Sequence, residues 1–337
     1  MATPETYRPS PFVLKALITV GMGVGVVLAW QLSQLLLLIF LALLIATFWN
    51  ALTRSLQRRL PAAVPRIVVL LGVVIGTFGV FGLVGALLAR PIQEQFQELA
   101  AQLPEIVDAL RETFSWVFES FDVDPNGDFE VPDISAIVED SLAVIGAGFR
   151  GFAAVVGTFF IAFFLALTPG AYLHGVLGLV PLRQRDQARR LLSHLEDTVI
   201  NWMQAVALSM LFVGLLVAGV LTVLGIPYAL LFGLAAGILE LIPFIGPFLA
   251  FLGPLAIALS DSLILALWVS LAYLVVQQIE SNIIVPAVMA AQVQLPPALT
   301  VVFVVIMTQT FALVGAFLAA PLLACLMMTV RFAYGRA

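Results

Sequence analysis

The chain has 337 residues, 62% of them hydrophobic and only 10% charged, with a net charge of −5. Soluble globular domains carry about 25% charged residues, so this composition, with a mean hydropathy of +1.12, excludes an ordinary water-soluble fold and indicates a polytopic membrane protein. One cysteine and two histidines exclude an intrachain disulfide and a His/Cys metal cluster.

A membrane-crossing helix needs about 20 residues with few charges. No charged residue lies between Lys15 and Arg54, which is room for two spans, about 12–30 and 33–53. The first flows into the second without a small-residue cleavage site, so it reads as a retained span. Strands of a membrane barrel are about 10 residues long and alternate in polarity, which these runs do not. Only helices then satisfy the backbone in lipid, and the expected class is all-α.

The loop "RSLQRRLPAAVPR" (54–66) holds four arginines and no acid. It closes a first unit, 1–66, of helical hairpin and basic loop. A third span follows at 67–90, with Gly72, Gly76, Gly79, Gly82 and Gly85 along one face, a smooth surface for close helix contact. Residues 91–142 form an outer acidic segment, 91–140 alone holding 13 of the chain's 20 acids against one arginine. Apolar residues at 92, 96, 99, 103, 106, 110, 114, 117 and 121 predict an amphipathic helical pair, the second helix starting at Pro104. Its stripe faces the membrane part, a neighbour or headgroups.

Next comes "DVDPNGDFEVPD" (122–133). Asp122, Asp124, Asn126, Asp128 and Asp133 match the spacing of a calcium loop, with glycine at its sixth position. Aspartate replaces glutamate at the twelfth position and two prolines interrupt the loop, so an acidic turn is the preferred reading and no metal is assigned. The unit 143–202 contains a fourth span, about 143–168, and the basic helix beginning "RQRDQARR". "GAGFRG" (146–151) has no strand before it and is read as helix packing, not a dinucleotide loop. Basic segments near spans favour the cytoplasm. The expected location is therefore the inner (plasma) membrane, multi-pass, with both termini cytoplasmic and 91–142 outside.

A fifth span at 203–224 opens the last unit, 203–337. Its pattern then breaks. "GIPYALLFGLAAGILELIPFIGPFLAFLGP" is apolar but interrupted by Pro243, Gly246 and Pro247, and each piece is short for a span. A re-entrant helical hairpin over about 225–260 fits, since broken backbone is tolerated at membrane depth only against protein or a water-filled cavity. The pattern recurs about 70 residues later: Pro227-Tyr-Ala-Leu is echoed by Pro297-Ala-Leu, Gly246 by Gly315, and Pro254-Leu255 by Pro321-Leu322. A second hairpin is expected over about 297–330, separated from the first by one span, 262–285. Interrupted segments at corresponding positions point to a transporter binding site. The whole is about six full spans plus two broken-helix hairpins, some eight membrane segments.

Glu240 ends the first half-helix, and Glu280 lies in "QQIESNIIVP" beside Gln277, Gln278 and Asn282. Ionisable residues inside spans face cavities and mark pathways; the other reading is a place at the membrane surface. The candidate substrate or ion pathway is Glu240, Pro243, Gly246, Pro247, Gln277, Gln278, Glu280, Asn282, Pro286, Gln309 and Gly315. No nucleophile–base set or P-loop is present, so neither an enzyme nor an ATP-driven pump is expected, and no cofactor or nucleic-acid partner.

The blocks "LGIPYALLFGLAAGILELIPFIGPFLA" and "QQIESNIIVPAVMAAQVQLPPALTVVF", then "VGAFLAAPLLA", resemble the autoinducer-2 exporter family, also called PerM-like permeases, over about residues 12–331. The resemblance implies a homo-oligomeric membrane transporter, a pentamer by expectation, that exports a small polar organic solute by an elevator-like movement. Other members look like sodium/proton antiporters, so a coupling proton or sodium ion is implied as well. Ala205 and Val206 stand where the family often has Gly-Gln, and Ala290 and Ala312 where glycines are expected.

Overall fold

The computed structural model describes residues 31–113, 148–284 and 296–335. The first span and the 122–133 loop lie outside them, as does Pro286. The described elements are α1 (Ser33–Gln57), α2 (Arg66–Thr113), α3 (Gly148–Leu167), α4 (Pro169–Gly178), α5 (Arg185–Val223), α6 (Ala229–Leu239), α7 (Ile245–Asp261), α8 (Leu263–Ile279), a π-helical turn (Glu280–Ile284) and α9 (Pro297–Ala333). Among the described residues five helices are long and apolar enough to cross a membrane, six if the pair around Thr168, bent by 87°, is one span. Large apolar side chains stand exposed along them, Ile75, Phe81 and Leu87 on α2 among others, as a lipid-facing surface requires. This is an all-α, multi-pass membrane protein.

The break expected at Pro104 does not occur. The third span and the first part of the acidic segment are one helix, α2, of 48 residues. At 1.5 Å per residue it is about 72 Å long, more than twice the hydrocarbon thickness, so its acidic half forms an arm beyond the span. Pro104 lies inside this helix and does not start a new one. A helix-internal proline leaves the carbonyl four residues earlier without a donor. That residue, Ala100, is exposed, and solvent can serve the carbonyl. Likewise the basic segment and the fifth span are one 39-residue helix, α5.

α1, α2 and α3 are joined by an aromatic cluster, with Phe159 centred 6.2 Å from Trp49 and 4.9 Å from Phe78. At the basic end Arg66 holds the bend after α3. Its guanidinium donates to the carbonyls of Ala166 and Leu167, each at 2.9 Å, and to Asn50 Oδ1 at 2.6 Å. These are carbonyls of the last turn of α3, which have no partner of their own within the helix. Arg54 of α1 pairs with Glu196 of α5 at 2.6 Å.

The second body of packing is α5 through α8. α5 and α6 approach closely because glycines line the contact: a Cβ built on Gly237 would stand 2.6 Å from the Met210 carbonyl oxygen, and one on Gly233 2.7 Å from that of Gly214. The α2 arm lies on this body. Ile106, Leu99 and Leu110 join the apolar cluster of Val213, Leu221, Phe232 and Ile257, so the stripe faces the membrane part, one of its three expected partners. Gln95 Oε1 accepts from the Leu231 N–H at 2.9 Å, capping the first turn of α6, whose N-cap Tyr228 supplies no side-chain bond.

Candidate site at the helix breaks

α6 and α7 have 11 and 17 residues, about 17 and 26 Å long, each short of a full crossing of about 30 Å. α6 stops because Pro243 carries no N–H for the Leu239 carbonyl, which accepts instead from Ile242 N at 2.9 Å. Phe244 turns the chain with φ 66°, and α7 starts at once, with Pro247 in its first turn, where a missing N–H costs nothing. Gly246 packs against the Leu239 carbonyl so closely that a built Cβ would overlap it. Glycine is required there by contact.

α9 is not one straight helix. Phe311 (φ −131°, ψ 15°) and Ala312 (φ 50°, ψ −141°) leave helical geometry, and a Cβ built on Gly315 would overlap the Met307 carbonyl oxygen. In a continuous helix positions eight apart are separated by about 12 Å, so the chain folds back here as it does at 240–246. The glycine pair Gly246/Gly315, matched by sequence, therefore occupies equivalent places, each against the end of the preceding half-helix. Val304 and Met307 before the second break share one apolar cluster with Ala316 and Leu318 after it, and with Ile242 and Ile245 of the first turn. The two breaks converge.

Glu240 caps α6 at its C-terminus and is only 9% exposed. Its neighbour is the carboxyl of Glu280, and its Oε2 is buried with no hydrogen-bond partner among the described residues. Glu280 begins the π-helical turn that ends α8 and accepts from Gln277 Nε2 at 3.0 Å. Two carboxyls and the C-terminus of α6, which bears about half a negative charge, thus meet at one place. Such a place suits one positive charge, a proton or a small cation, and disfavours an anion. π-Turns inside helices are frequent at functional sites.

The expected pathway residues divide into three groups. Glu240, Glu280 and Gln277 come together, with Pro243, Gly246 and Pro247 forming the adjoining turn. Gln278 and Asn282 are exposed and bond each other, Asn282 Nδ2 to Gln278 Oε1 at 2.8 Å, apart from Glu240 and Glu280. Gln309 is exposed two residues before the α9 break, and Gly315 is buried just after it. The reading by sequence passed over Tyr273, whose hydroxyl bonds the Ala250 carbonyl, and over Arg66 with Asn50. A tyrosine and an asparagine inside charge-free runs were the available signals.

A model of the AI-2E family transporters matches residues 17–335. Over 302 residues the chain is 23% identical to the "Putative transport protein YueF" of Bacillus subtilis (strain 168), covering 85% of this chain and 82% of that protein. It is 27% identical over 155 residues to the "Putative transport protein YrrI" of the same organism, covering 46% of this chain and 44% of that one. With the matched span running almost end to end and including both helix breaks, this chain belongs to the AI-2E transporter family.

Proposed function

We propose that this protein is a secondary transporter that exports a small polar, uncharged organic solute of the autoinducer-2 type, coupled to one positive charge carried by Glu240 and Glu280. The observation that carries the reading is the meeting of these carboxyls with the C-terminus of α6 beside the paired breaks. A buried carboxyl is costly and is retained where it serves the transported species. The two hairpins form a module that slides against α1–α3 in an elevator-like step, the glycine contacts of α5 and α6 moving with it. The basic 54–66 loop, the basic start of α5 and both termini face the cytoplasm across the inner membrane, and the α2 arm faces outward. A Cβ built on Gly79, Gly82 or Gly85 meets none of the described residues within 4 Å, which supports contact between copies in a homo-oligomer, with five copies as the working number.

A second reading, cation/proton antiport without organic solute, is favoured by the same carboxyl pair. Flux in proteoliposomes separates them, comparing wild type with Glu240→Gln and Glu280→Gln. Furanone efflux that falls at least tenfold in both variants supports export. Sodium/proton exchange in the absence of solute supports the antiporter. Efflux at the wild-type rate in both variants removes the carboxyls from the transport path.

A further inference from the structure

We propose that the groove between α1 and α2 binds an anionic phospholipid, its acyl chain in the groove and its phosphate at Arg59. The groove encloses about 480 Å³ between Leu52 and Leu56 of α1 and Val73, Gly76 and Val80 of α2, with Ser55 and Arg59 at its mouth. From Phe48 to the end of α1 at Gln57 it runs about 14 Å, close to the roughly 15 Å depth of one leaflet's hydrocarbon. Gly76 keeps its floor open, since a Cβ built there meets none of the described residues within 4 Å. The body of the groove is apolar and the mouth is cationic, which is the pattern of a headgroup above an acyl chain.

The arginines of this end differ in what they are doing. Arg54 is paired with Glu196, and Arg66 is engaged by Asn50 and two carbonyls. Arg59 is exposed and, among the described residues, has no acidic partner. Neither α1 nor the first 25 residues of α2 contains an acid. A second copy packing through these two helices would therefore bring no counter-charge, whereas a lipid phosphate brings one. Juxtamembrane arginines attract anionic lipid by about 1 kcal/mol each, which is about a fivefold preference for a single charge.

Native mass spectrometry of the detergent-purified protein, titrated with phosphatidylglycerol and with phosphatidylcholine of identical chains, tests the site. The expected result is about fivefold tighter binding of phosphatidylglycerol, a ratio near one in Arg59→Gln, and loss of the bound lipid in Gly76→Leu. Thermal unfolding by circular dichroism confirms that both variants keep the wild-type fold, as exposed Arg59 and open Gly76 allow. Equal binding of the two lipids by the wild type overturns the proposal, and so does an unchanged preference in Arg59→Gln. A Gly76→Leu protein that keeps its lipid but changes its oligomeric state overturns it too, and assigns the face to a second copy.

Discussion

The hydroxyl of Tyr273 donates to the main-chain carbonyl of Ala250 at 3.1 Å, the one carbonyl that Pro254, four residues on within α7, has no N–H to serve. A helix-internal proline is thus made tolerable by a side chain from the adjoining span, and the first hairpin is fastened to α8 at the same point. Removing the hydroxyl strands a buried acceptor, at a cost of about 1–3 kcal/mol. Tyr273→Phe is expected to lower the thermal midpoint of the detergent-solubilised protein. Pro254→Ala, which restores the N–H, is expected to recover most of that loss in the double variant. A Tyr273→Phe effect of the same size in both backgrounds would sever the link between the two residues.

Ala312 holds φ 50° and ψ −141°, a conformation that side chains rarely adopt and glycine adopts freely. Strain of this kind costs about 1–3 kcal/mol. Ala312→Gly is expected to raise the thermal midpoint, against the usual destabilising effect of glycine in helices. A lowered midpoint would show that the second break carries no strain at this residue.

Gly246 and Gly315 each lie against a carbonyl that a Cβ would overlap. Overpacking costs about 1–3 kcal/mol, and more where the opposing atom is backbone. Gly246→Ala and Gly315→Ala are both expected to cut the yield of folded protein by size-exclusion chromatography, to similar extents. Gly219→Ala on α5, where a Cβ meets none of the described residues within 4 Å, is expected to be silent. Normal yield from either hairpin variant would break the equivalence of the two turns.

Glu240 carries a buried oxygen with no partner among the described residues. The amide of Glu240→Gln can donate to Glu280, so this variant is expected to unfold at a temperature no lower than wild type while flux is lost, the trade of stability against activity seen at functional sites. A midpoint several degrees lower would make the carboxylate a structural group.

Arg66 serves two last-turn carbonyls of α3 and the buried Asn50. Arg66→Gln is expected to cost about 1.5–3 kcal/mol, the range for bonds to a charged group, and to make the 166–170 bend more open to proteolysis. Arg59→Gln, with no such partners, is expected to leave both the midpoint and the cleavage pattern unchanged.

The amino-acid sequence by itself determined the class, the places of the described spans and the presence of two interruptions. These follow from short-range rules: charge-free length for a span, and the missing N–H of proline for a break. The equivalence of Gly246 and Gly315 was also legible, because a backbone contact that admits no Cβ leaves glycine at matching places in both hairpins. Only the tertiary structure decided that α2 and α5 run unbroken past their membrane portions, since whether a proline such as Pro104 ends a helix depends on what can serve the carbonyl it abandons. It alone brought Glu240 beside Glu280, 40 positions away in sequence, while turning Gln278 and Asn282 outward on the same turn of helix. Which face of a π-turn meets which hairpin tip is fixed by packing among α5–α9, and no local pattern encodes that.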